Sequence, residues 1–161
     1  MGKVSFVSVD GHAAMPPSAW ASYMEGGHGA DLERLGRENE VFAHSMGVLQ
    51  KVTLPPEIDH VFDPDGIFRG GAWQGLWDAD IRVAEMDREG VASEIIYPGD
   101  PRATDPGFNV LNGTYPFDFV DAGVRAYDRW CHDTFGPHGE RFLLVGAAGT
   151  FSEMDLSLIH I

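Results

Sequence analysis

The segment VSFVSVDGHAAMPP, residues 4–17, sets an aspartate and a histidine two residues apart where an apolar-rich run stops. Residues i and i+2 of a strand point to the same face, so Asp10 and His12 can aim a carboxylate and an imidazole at one point. Those two donor types suit zinc or another divalent ion. They do not complete a site, because catalytic zinc usually has three protein ligands and a water. The plainer explanation is an Asp-Gly turn that closes a strand.

Few other residues invite chemistry. Tyr97 falls at the end of a second strand-like run, where it either faces a substrate or packs beneath a loop. Trp20 and Tyr23 either cover the same pocket or pack as aromatic core, and packing is the default. Trp73 and Trp77 read as loop anchors. His28, His44 and His60 read as surface or loop histidines, and His132 and His138 flank a helix end, where a partly positive imidazole suits the dipole. Cys131 sits on an apolar stripe with no base arranged to activate it. Asp63-Pro64-Asp65-Gly66 resembles a calcium loop, but aligning Gly66 with the loop glycine puts Val61 and Ala72 where oxygen ligands are required. The chain has neither a Walker A sequence nor a Rossmann fingerprint.

Residues 4–9 alternate Val and Phe with Ser and predict a strand ended by Asp-Gly. Residues 13–77 are broken by Pro16-Pro17, Gly26-Gly27, Pro55-Pro56 and Gly70-Gly71, with a helix expected within 30–44. So long a connection is either functional or a sign that the elements are wrongly assigned. Asp78 and Gly90 are a good N-cap and C-terminal stop for a helix between them. SEIIYP, residues 93–98, predicts a short buried strand. Val120, Val124, Tyr127 and Cys131 form a helical stripe, with Asp118 or Asp121 as the expected cap and Gly136-Pro137 as the stop. Residues 141–149 predict a third strand. Strands alternating with helices imply βαβ units and a parallel sheet. Glu85, Asp87, Arg88 and Glu89 read as a solvated helix face.

The 161 residues are 43% hydrophobic and 22% charged, a globular profile. The net charge of −14 repels phosphate backbones and anionic lipid, so neither nucleic acid nor a membrane is an expected partner. A single cysteine excludes an intramolecular disulfide. No apolar run approaches the length of a membrane span, and the first residues lack a signal-peptide core, so a cytoplasmic location is expected.

Three blocks, SVDGHAAMPPSAW, LWDADIRVAEMDREGVASEIIYPG and RAYDRWCHDTFGPHGERFLLVGAAG, resemble the amidohydrolase-related family. This branch holds metal-dependent hydrolases and decarboxylases of the aminocarboxymuconate and resorcylate type. The resemblance implies an α/β fold, a partial TIM (β/α)8 barrel of about the first three strands with a long loop after strand 1. It implies that Asp10 and His12 bind a divalent metal, zinc first, with manganese or another ion as alternatives. Tyr97 would contact a small-molecule substrate. The activity implied is hydrolysis of a C–N or C–O bond, or non-oxidative loss of CO2 from a carboxylic acid, with a homo-oligomer as the assembly of the intact enzyme. Residues 1–155 would be the N-terminal portion of that single domain, inactive alone, with the proton-transfer residue and remaining ligands beyond it. LSLIHI, residues 156–161, reads as translated sequencing adapter, which would make His160 an artefact. The rival from another class is a non-catalytic acidic binding or scaffold domain derived from a barrel.

Overall fold

The computed structural model describes residues 5–15, 19–38, 72–99, 106 and 115–146, without the side chains of 72–73. His44, His60, the Asp63–Gly66 segment, residues 39–44 and 147–149 of the expected elements, and LSLIHI lie outside that set, as does the Trp73 side chain. Strand β1 (Phe6–Ala13) is followed by helices α1 (Trp20–Tyr23) and α2 (29–38). A 3-10 turn at Ala72–Leu76 leads into helix α3 (Ala79–Glu89) and strand β2 (Val91–Pro98). Helix α4 (Phe117–Phe135), a second 3-10 turn (Gly136–His138) and strand β3 (Phe142–Leu144) complete the described elements. The strands form a parallel sheet in the order β1-β2-β3. This is a mixed α/β arrangement, as the alternation of strands and helices predicts.

Local chemistry accounts for α3. The Asp78 side chain accepts from the Ile81 N–H at 3.0 Å, satisfying a donor that the first turn leaves open. Gly90 ends the helix at φ 79°, a left-handed conformation that glycine adopts without strain. Helix α4 differs from expectation at its start. It follows Pro116 with no side-chain cap, Asp118 lies in its first turn, and Asp121 pairs instead with Arg125 one turn on. Gly136 ends it, as predicted.

Among the described residues one face of the sheet is packed and the other is open. Ala13, Ile96 and Phe142 join Met86 of α3 and Ala126, Tyr127, Trp130, Cys131 and Phe135 of α4 in a single core. Trp20 of α1 and Met15 close it. Trp20 is therefore core, the packing alternative for that residue. Trp77 is 39% exposed. His28 is half-buried, with its ring 5.7 Å from that of Phe119, so it too packs. The opposite face carries Val7, Tyr97 and Leu143, all exposed.

β1 does not stop at Asp10-Gly11. It runs to Ala13 because the strand absorbs an irregularity there instead of turning. Between Phe6 and Val7 the partner strand advances an extra residue, Ala92. Between Ser8 and Gly11, β1 advances three residues while β2 advances two, from Glu94 to Ile96. Each step has the form of a β-bulge. Arg141 sits beside the first, its Nε donating to Ala92 O at 2.9 Å and its Nη2 to Val91 O at 3.0 Å, while Nη1 meets Asp87 at 2.8 Å. So Asp87 belongs to a bridge from α3 to the sheet, not only to a solvated face. β3 is shorter than 141–149, with residues 145–146 already outside the strand.

Tyr127 fastens the far ends of β1 and β2. Its hydroxyl donates to Ala13 O at 2.9 Å and lies 3.4 Å from Tyr97 O. The residue is fully buried. Replacing Tyr127 by Phe removes the hydroxyl and leaves a buried carbonyl short of a donor, a loss of about 1–3 kcal/mol. Urea unfolding of Tyr127→Phe should show a lower midpoint with an unchanged m-value; an unchanged midpoint would refute the role of this hydroxyl.

Candidate metal centre

The second bulge decides where Asp10 and His12 point. Ser8 faces the helices, for its hydroxyl donates to Glu94 Oε1 at 3.3 Å. Regular alternation from Ser8 would turn Asp10 and His12 to that same packed side. The extra residue reverses the phase. Gly11 now faces Glu94 so closely that a Cβ there would stand 2.2 Å from Oε1. Asp10 and His12 are turned to the open face, at the C-terminal end of β1. A glycine is required at position 11 for the close approach, and a bulge is a common device for re-aiming a side chain.

His12 Nε2 stands 3.7 Å from Asp10 Oδ1. The two donors are therefore brought together as the i, i+2 spacing predicts. Asp10 is 92% exposed at its side chain and His12 40%. The other ring nitrogen, Nδ1, lies 2.9 Å from Gly99 O. A carbonyl only accepts, so Nδ1 carries the proton, and in the neutral ring Nε2 keeps its lone pair on the Asp10 side. Gly99 is buried with φ 87°, a conformation open to glycine, and this turn after Pro98 presents the carbonyl. A ligating histidine anchored by its other nitrogen on a backbone carbonyl is a recurrent metal-site arrangement.

Tyr97 pairs with His12 across the two strands. Its ring lies 6.2 Å from the imidazole, tilted by 41°, and is 37% exposed. It stands on the same open face, at the end of β2. Beneath these three residues lies a polar layer. Arg82 of α3 reaches Glu94 with Nε at 2.7 Å, and its Nη1 donates to His12 O at 2.7 Å and to Gly75 O at 3.1 Å.

The donor pair fits part of a metal site. Ligands at zinc distances of about 2.0–2.2 Å in a tetrahedron stand roughly 3.4 Å apart, close to what Asp10 and His12 present. Among the described residues no group of three or more His, Cys, Asp or Glu side chains converges on one point. The pair could offer an ion two ligands.

Tyr23, by contrast, is engaged elsewhere. Its hydroxyl donates to Asp133 at 3.3 Å and its carbonyl accepts from Arg129 at 2.6 Å. Burial first, and then Asp133, raise the phenol above its ordinary pKa. It lines an open groove of about 460 Å³ with residues of α4, including His132 and Asp133. His138 meets Asp80 at 3.2 Å and joins the end of α4 to the start of α3. His138 thus has a structural partner, whereas His132 is largely exposed beside Asp133.

Sequence reasoning missed Arg82, Glu94, Tyr127 as a hydrogen-bond donor, and Gly99. The available signal was Glu94 itself, a lone carboxylate inside the apolar strand SEIIYP. A charge in a buried strand demands a partner.

Comparison with family models, with curated proteins and with solved structures gave no match.

Cys131 is buried, and burial pushes its thiol up to about 11, from an ordinary value of 9.0. The folded state favours the protonated thiol, so its contribution is intact below pH 9.0 and is lost as pH rises towards about 11. At pH 8, iodoacetamide should label Cys131 in the folded chain at least about a hundredfold more slowly than in urea, since the thiolate is the reactive species. Equal rates would show a reachable nucleophile.

Proposed function

We propose that Asp10 and His12 are two ligands of a divalent metal in an amidohydrolase-related enzyme, and that the described sheet and helices are the opening part of its (β/α)8 barrel. The observation that carries this proposal is the bulge-driven placement of both side chains on the open face at one strand end, with Nδ1 of His12 anchored on Gly99 O. Barrels of this kind pack helices outside and gather their chemistry at the C-terminal ends of the strands. The three parallel strands, the one-sided core and the exposed Val7, Tyr97 and Leu143 opposite it are consistent with a face that a barrel turns inward.

The residues divide the task. Gly99 O fixes the His12 tautomer, so Nε2 is the available donor. Asp10 brings negative charge beside it, which offsets part of the charge on a cation. Tyr97 offers a ring edge and a hydroxyl to a small organic substrate. A bound divalent ion supplies a Lewis acid, able to activate water or to polarise a carboxylate. The same ligands serve hydrolysis of a C–N or C–O bond and loss of CO2 from a carboxylic acid. In the intact enzyme, CO2 release from aromatic acids and cleavage of esters or lactones are the two assays that divide these reactions.

Cobalt(II) titration of the chain, followed by visible absorption, tests the ligands directly. His12→Ala and Asp10→Asn should each weaken binding by more than the ~10–100-fold that loss of an outer partner costs a metal site. Cobalt affinity equal to that of the parent chain in both variants would refute the assignment and favour a non-catalytic domain.

A further inference from the structure

Arg82 is nearly enclosed, its side chain 12% exposed and that of Glu94 11%. A carboxylate can take two of the five guanidinium N–H donors side by side. Yet the guanidinium spends only Nε on Glu94, and directs Nη1 to the carbonyls of His12 and Gly75. One of these carbonyls belongs to the histidine that faces the open side. Glu94 is itself steadied by the Ser8 hydroxyl, one residue before the bulge segment begins. The Cζ of Arg82 lies 5.9 Å from the centroid of the Phe135 ring, on α4. Arg82 therefore grips β1 on both sides of its extra residue, through Glu94 and Ser8 before it and through His12 O after it.

We propose that Arg82 is a positioning residue for His12, holding the main chain at the end of the bulge so that the ring meets Gly99 O and turns Nε2 towards Asp10. This rests on the metal-site reading of Asp10 and His12. Only an arginine meets the geometry. Its rigid fork of five N–H donors spans a carboxylate and two carbonyls, whereas a lysine donates from a single point. Without the grip at His12 O, the strand end slides, the ring leaves Gly99, and the imidazole samples both tautomers.

The test reads the His12 ring. Long-range ¹H–¹⁵N NMR of the full chain, with His12 assigned by its loss in His12→Ala, reports which nitrogen carries the proton. The parent chain should show the Nδ1–H tautomer alone. Arg82→Lys should show a mixture of tautomers and a cobalt affinity lower by about tenfold, the scale on which outer partners act, with its far-UV circular dichroism retained. Glu94→Gln keeps an oxygen acceptor for Arg82 Nε and leaves its carbonyl bonds in place, so it should unfold more easily yet keep the Nδ1–H tautomer while folded. Retention of that tautomer and of cobalt affinity in Arg82→Lys would overturn the proposal and leave Arg82 a purely structural residue. Should Arg82→Lys fail to fold, the parent chain still decides. Held on three acceptors, Arg82 must show separate, slowly exchanging Nη resonances, and averaged resonances would overturn the proposal. Because two ligands alone hold an ion weakly, a parent chain that binds no cobalt leaves the tautomer and the Arg82 resonances to judge the positioning role.

Discussion

A buried ion pair between Arg82 and Glu94 joins the elements that matter most in this fold. Arg82 belongs to α3 and Glu94 to the central strand, and the same guanidinium reaches β1 at His12 and the 3-10 turn at Gly75. Burying two charges is costly in itself, and such a pair is a weak stabiliser relative to a well-packed apolar one. Its effect lies in what happens when it is broken. Removing one partner strands the other charge in the interior, at a cost of roughly 3–5 kcal/mol. Arrangements that separate α3 from β2 are therefore strongly disfavoured. The pair seats Arg82, and its hydrogen bond to His12 O extends the hold to β1.

Register is the quantity this sheet has to control. Two irregular steps along β1 and β2 cancel, an additional residue in β2 at Ala92 and then one in β1 before Gly11. An arginine stands beside each, Arg141 on the carbonyls of Val91 and Ala92 and Arg82 on that of His12. Backbone groups displaced from a ladder must find partners when buried. Arginine supplies several donors on one side chain, and both residues also hold an acidic partner, Asp87 or Glu94. Tyr127 adds a neutral hydrogen bond at the strand end, so the neighbourhood of His12 and Tyr97 is fixed by α3 and α4 together.

What could be read from the sequence follows the range of each interaction. The caps of α3 were legible because Asp78 and Gly90 act within one turn. The parallel βαβ order was legible from periodicity. The proximity of Asp10 to His12 was legible from their spacing, since i and i+2 remain on one side whatever happens upstream. Which side that is was not legible, because it depends on pairing with β2 far along the chain. For the same reason the end of β1 was placed too early. Asp-Gly does signal a turn in isolation, but here Gly11 answers a steric demand from Glu94. Asp121 was a plausible cap by type, yet Arg125 one turn away claims it. Arg82 and Glu94 were hidden for want of a tertiary frame, although a carboxylate among apolar residues hinted at one.

The bulge in β1 also has a genetic consequence. Substitutions in VSVDGH change one side chain each and leave the alternation of the strand intact. Loss of the Val9 codon would let β1 advance two residues where β2 advances two, so Ser8 and Gly11 would keep their partners and Asp10 and His12 their side of the sheet. Loss of Gly11 has no such repair, because it brings a side chain to the place that the Glu94 carboxylate fills. This stretch should therefore tolerate removal of its extra residue better than any substitution at Gly11, where the demand is for empty space.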